Sequence, residues 1–154
     1  MKKIVGFLTL AVAGSILFVA CNKDKDETPL PAAIVKLTKG SWKINSITRP
    51  KITDPTQDSV ISKPCTSDDS IAFAVQGTYV FSDGNTKCDS TIFPYSKGAW
   101  QYDLTKDSIR LGATNPSKYY SWKVLTLNDS VLKVNYIDST VVTNKVTKTV
   151  LFKR

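Results

Sequence analysis

The side chains that most often perform chemistry are scarce in this chain. Its 154 residues include no histidine and three cysteines, Cys21, Cys65 and Cys88. Without histidine the commonest general base is missing, and neither a Ser-His nor a Cys-His nucleophilic system can be assembled. No Cys-x-x-Cys occurs, so zinc sites of the usual ligand spacing are absent as well. Two-carboxylate hydrolysis has one candidate pair, Asp68 and Asp69. Adjacent strand residues point to opposite faces, and in a loop beside Pro64 and Cys65 such residues cap a turn or sit in solvent. A calcium loop would show denser acidic spacing. The expectation is a non-enzymatic protein with no catalytic residue, no metal and no cofactor.

Cys21 carries a different chemistry. Lys2 and Lys3 precede an apolar run over 4–20, and Phe18-Val19-Ala20-Cys21 resembles the lipobox of a bacterial lipoprotein signal peptide, with Phe18 where Leu is usual. Residues 1–20 are then the signal peptide, and Cys21 becomes the lipidated first residue of the mature chain. A retained membrane helix is the rival reading. The run is about 17 residues and includes Gly6, Thr9, Gly14 and Ser15, marginal for a span that needs about 20. A plain secretory peptide cut after Ala20 is a second rival, and it leaves an unpaired cysteine. With Cys21 assigned to lipid, Cys65 and Cys88 remain as an even pair in an oxidising compartment, which predicts one disulfide. The implied address is the cell envelope, anchored to the outer membrane, with surface exposure open.

The charge balance excludes another class. The full chain has 21 basic and 13 acidic residues, a net +8; without Lys2 and Lys3 the mature chain has 19 against 13, or +6. The lysines are scattered through alternating segments without a run of five or six, so a nucleic-acid footprint is not predicted.

These residues have to be positioned by one small domain. Residues 21–31 are polar, with Pro29 and Pro31, and read as a flexible tether. Asp24, Asp26 and Glu27 also resemble the acidic export signal of surface lipoproteins in Bacteroidota. The remaining 32–154 suffice for one compact domain. Residues 33–38 predict a short helix between Pro31 and Gly40. Beyond it, period-two alternation dominates. Ile71, Phe73, Val75, Gly77, Tyr79 and Phe81 share one parity, which predicts one unusually long strand or a strand bent at Gly77. Hairpins are predicted around Lys106-Asp107 and around Asn128-Asp129-Ser130. Trp42 opens the first strand, 86–91 is a weak strand, and Val142, Val146, Val150 and Phe152 share a parity broken near Thr143-Asn144. About eight strands with tight turns and no βαβ spacing predict an all-β fold, an antiparallel up-and-down barrel whose closure removes its edges.

In their order, a lipidated cysteine, a helix running into Gly40-Ser41-Trp42, Cys65, Gly77-Thr78-Tyr79, Asp83-Gly84, Lys87-Cys88, Gly98-Ala99-Trp100 and the hairpin over 127–134 resemble the lipocalin-like domain lipoproteins of Bacteroidota. The resemblance covers roughly 35–154. It implies a barrel-closing role for Trp42, covered by Lys153 or Arg154 in a cation–π contact. The Thr-Asp-Tyr motif of classical lipocalins is missing from any recognisable place, so the resemblance carries the barrel better than it carries a ligand.

Three functions are weighed. The first is binding of a small apolar or amphipathic molecule by the barrel, with Tyr79, Tyr102, Tyr120 and Trp122 as an aromatic cup near the open end; against it, the same rings would simply fill the interior. The second is an interaction module recognising protein or glycan through the proline-punctuated loop 50–64 or an outward Tyr119. The third is an inhibitor of an envelope-attacking enzyme. The expected partners are the membrane, through Cys21, and a small hydrophobic ligand, with the chain a monomer that binds no nucleic acid.

Overall fold

The computed structural model describes residues 29–88, 96–113, 119–138 and 145–154. The signal peptide, Cys21 and most of the tether lie outside the described residues, as do 89–91 of the weak strand, Val142 and the break at Thr143-Asn144, while 86–88 are irregular and form no strand.

The helix α1 spans Ala32–Thr38. Proline at its entry has its carbonyl accept from the amides of Ile34 and Val35, and the helix ends just before Gly40. Leu37 is its buried residue. Strand β1 (Ser41–Pro50) follows at once. Trp42 and Ile44 point inward, and then the register shifts between Ile44 and Ser46 so that Ile47 is the next buried residue. One extra residue thus moves the apolar face from even to odd positions without turning it outward. A second shift lies in β7 (Tyr119–Leu127), between Val124 and Thr126, with Leu125 as the extra residue.

The remaining strands are β2 (Asp58–Val60), β3 (Ser70–Phe73), β4 (Thr78–Ser82), β5 (Lys97–Asp103), β6 (Ser108–Gly112), β8 (Val131–Asp138) and β9 (Val146–Lys153). All pairings are antiparallel, from β3 to β9 in chain order, and β9 returns to pair with β1 from Lys43↔Lys153 to Thr48↔Thr149. Strands β1 and β3–β9 therefore close an eight-stranded up-and-down barrel. The short β2 is a ninth strand, paired with Thr48–Pro50 of β1 on the same side as β3.

Two readings of the sequence need correction. The alternation over 71–81 is neither one long strand nor a bent one. It is a hairpin: Phe73 pairs with Tyr79, and Gly77 sits in the turn at φ 82. Five residues, an odd number, separate the paired Phe73 and Tyr79, so parity carries across the turn and the two strands look like one in sequence. The loop 50–64 is also not wholly irregular, since β2 forms inside it.

The end of the barrel that carries α1, the β5–β6 turn and the β7–β8 turn is its base. There the Trp42 indole N–H donates to the Leu37 carbonyl at 2.9 Å, and the Arg154 guanidinium lies 3.8 Å from the centre of the Trp42 ring. Arg154 also donates to the carbonyls of Lys36 and Asp129. It therefore ties helix, tryptophan and the β7–β8 turn together, the closing arrangement that the family resemblance implies. Away from the base, Cys65 and Cys88 form a disulfide with Cα atoms 5.6 Å apart, joining the 3-10 turn Pro64–Thr66 to the segment after β4.

Candidate functional site

In its base half the barrel interior is filled by side chains. A void wide enough for water would leave accessible area on its lining, and Trp42, Ile71, Ile109, Leu132, Val150 and Phe152 have none. Phe73 meets Trp100 edge-on at 5.4 Å and Trp122 stacks on Phe152 at 5.7 Å, spacings typical of favourable aromatic pairs. Tyr79 and Trp122 are part of this packed core. The Tyr79 ring occupies the space left by Gly98, whose own Cβ would meet it at 3.1 Å. Tyr102 lies in the cross-strand row Tyr102–Ile109–Trp122 and borders a hollow at the base, where burial and then Asp107 push its hydroxyl pKa up. Tyr120 stands one row higher, beside Leu111, and is 37 % exposed. The structure thus brings Tyr102 and Trp122 into one row, places Tyr120 in the next, and sets Tyr79 apart across Gly98.

Open space lies on the outer wall. A groove of about 530 Å³ is lined by Val75, Gln76, Gln101, Arg110 and Tyr119 over a floor that includes Ala99 and Gly112. The register explains it. Thr78, Ala99, Gly112 and Tyr119 are opposite one another on successive strands, and so are Gln101, Arg110 and Ser121. Directly opposed residues share a face, and this is the face opposite to the buried Trp100, Leu111 and Trp122. Ala99 and Gly112 put almost no side chain at the middle of the first row, which leaves a trough. Tyr119, 55 % exposed, walls one side, with the Arg110 guanidinium 5.1 Å from its ring centre. No salt bridge engages Arg110 among the described residues.

The other wall is the β3–β4 turn, and the core holds it. The Trp100 amide donates to the Gly77 carbonyl at 2.8 Å, and its indole N–H donates to the Ala74 carbonyl at 2.9 Å. A buried tryptophan thus fixes the turn that presents Val75 and Gln76. Together the walls and floor offer an aromatic face, an aliphatic edge, a side-chain amide and a cation with spare donors. Such a site suits a small molecule with an apolar body and an acceptor or anionic group. Of these residues, sequence reasoning had singled out Tyr119 alone, as an outward ring. The signal for the rest was the outward parity of Ala99, Gln101, Arg110 and Gly112, which becomes a trough only once the strand register is known.

The candidate carboxylates have a structural arrangement. Asp68 Oδ2 accepts the amides of Asn85 and Thr86 at 2.7 and 2.9 Å, and those bonds hold its pKa below the usual carboxylate range. Asp69 is 4 % exposed with Oδ1 lacking a partner. Burial, then Asp83 and Asp68, push its pKa up to about 6. Asp68 therefore clamps the segment before β3 to the exit of β4, alongside the disulfide. Among the described residues no group of three His, Cys, Asp or Glu side chains is placed to hold a metal.

Fold and site define a closed eight-stranded antiparallel barrel, consistent with a lipocalin-like barrel, with a packed interior and an external groove. No protein-family model and no curated protein matches the chain.

Proposed function

We propose that this chain is a non-enzymatic, lipid-anchored protein of the cell envelope that binds a small amphipathic molecule in the outer-wall groove rather than inside the barrel. The groove between Tyr119–Arg110 and the turn 74–77 carries this reading, because it combines volume, an aromatic wall and a cation with no salt bridge among the described residues, while Tyr79 and Trp122 of the expected internal cup are packed into the core. The envelope address rests on the lipobox-like segment ending at Cys21, and the mature chain carries its lipid there. The test uses 1-anilinonaphthalene-8-sulfonate, which pairs apolar rings with an anion. Its fluorescence should rise on binding, and Arg110→Gln or Tyr119→Ala should weaken that binding about tenfold, the scale of one charge-assisted or aromatic contact. Unchanged affinity in both variants would place the site elsewhere.

A second reading has its own support. Ile52 and Val60 are 86 % and 70 % exposed, and β2 leaves one edge free, so the segment 50–64 suits strand addition by a protein partner. Replacing that segment with a short polar loop would abolish partner capture while sparing probe binding in the groove.

A further inference from the structure

We infer that the base of the barrel is a membrane-docking face, which lies against an anionic bilayer when Cys21 carries its lipid. The inference rests on the lipid-anchor reading above and adds an orientation to it.

The chain enters the domain at the base. Pro29 and Leu30 lead directly into α1, which lies against β3 and β7. Pro29 is eight positions after Cys21, a reach of at most about 29 Å when fully extended. An anchor at Cys21 therefore pulls on this end. The same end exposes apolar side chains: Leu30, Val35, Leu104 and Leu125 are each about half exposed. They come from the helix and its lead-in, the β5–β6 turn and the β7 bulge. These elements are neighbours, since Ala33, Lys36, Tyr102, Asp107 and Leu125 line one hollow of about 260 Å³.

Charge distinguishes this end from the other. Lys36, Lys39, Lys106, Lys123, Lys153 and Arg154 surround the base. Its carboxylates are fewer: Asp103, engaged by the amides of Thr105 and Lys106, Asp129, paired with Lys39, and Asp107, beside Tyr102. The opposite end exposes Ile52 and Val60, each within two residues of a carboxylate, Asp54 or Asp58, and Ile137, beside Asp138, which pairs with Lys148. An anionic surface attracts the first pattern more strongly than the second. Half-exposed aliphatic groups ringed by lysines are the pattern of interfacial binding. Among the described residues no helix is long and apolar enough to cross a membrane, so the contact is peripheral.

The barrel core is built from residues from Leu37 onward, so a chain beginning at Cys21 retains it. With Cys65 and Cys88 in a disulfide, Cys21 is the one free thiol, and it can be coupled to a maleimide phospholipid in phosphatidylcholine vesicles with or without phosphatidylglycerol. Hydrogen exchange should slow at α1, the β5–β6 turn and the β7 bulge when phosphatidylglycerol is present. Each of Lys36→Glu and Lys106→Glu should weaken partitioning of the uncoupled chain about fivefold, the scale of one basic residue near such a surface, while Val35→Asp should remove the protection at α1. Exchange that slows at 50–60 instead, or at neither end, would overturn the inference. The artificial anchor makes this result independent of native lipidation, whose failure would appear separately as an unacylated mass for the chain extracted from membranes.

Discussion

Two chemically identical neighbours, Asp68 and Asp69, end in opposite states. Asp68 receives amide hydrogen bonds, whereas Asp69 is buried beside two like charges. Its folded pKa of about 6 exceeds the ordinary 3.8, so the folded chain binds more protons than the unfolded one between those values. The stability Asp69 contributes is therefore present at pH 4 and lost as pH rises through 6. Asp69→Asn is expected to raise the melting temperature at pH 8, by about 2 kcal/mol of stability for a shift of this order, with no gain at pH 4. Thermal denaturation at both pH values checks this, and an equal gain at both would show that the charge on buried Asp69 is not the cause. Arg154 is the other decisive residue. Arg154→Ala removes the ring contact and the bonds to helix carbonyls, and should cost about 1–2 kcal/mol, with faster hydrogen exchange in α1. Arg154→Lys keeps the charge without the planar fork and should fall between. Trp42 and its cationic cover were implied only by the resemblance to lipocalin-like domains, which left Lys153 and Arg154 open as the cover. The fate of Asp69 was not, because burial depends on which loop folds over it.

Among the elements, what was legible was whatever alternates. The helix at 32–38, the hairpins at 104–107 and 128–130 and the final strand all follow from periodicity and turn residues. The β3–β4 hairpin escaped because its turn keeps parity, and the bulges in β1 and β7 escaped because each swaps parity within a strand. Gly77 marks the first of these. Its φ of 82 is a region that residues with a Cβ rarely adopt, so Gly77→Ala should destabilise by about 1 kcal/mol or more and loosen the wall that Val75 and Gln76 provide. Equilibrium denaturation in urea reads the first effect and probe affinity the second. The disulfide acts on the same region. Cys65 and Cys88 are 23 residues apart, and replacing both with serine should cost about 3 kcal/mol through the freed unfolded chain, measured as a lower urea midpoint with the barrel still formed.

For the whole molecule, closure was legible and the binding surface was not. Eight amphipathic strands joined by short turns have to hide their edges, and pairing β9 with β1 does so. The inward aromatics suggested a cup, but large rings opposite one another consume the volume they enclose. The outward residues that build the groove belong to three strands, and only their register aligns Ala99, Gly112 and Tyr119. The central claim is that such a barrel binds on its outer wall. Amide chemical-shift mapping by NMR during titration with 1-anilinonaphthalene-8-sulfonate tests it most directly. The account predicts saturable shifts at 75–77, Gln101, Arg110 and Tyr119, with the core amides of β8 and β9 unmoved. Shifts concentrated at Leu132, Val134, Val150 and Phe152 would put the ligand inside the barrel and contradict it.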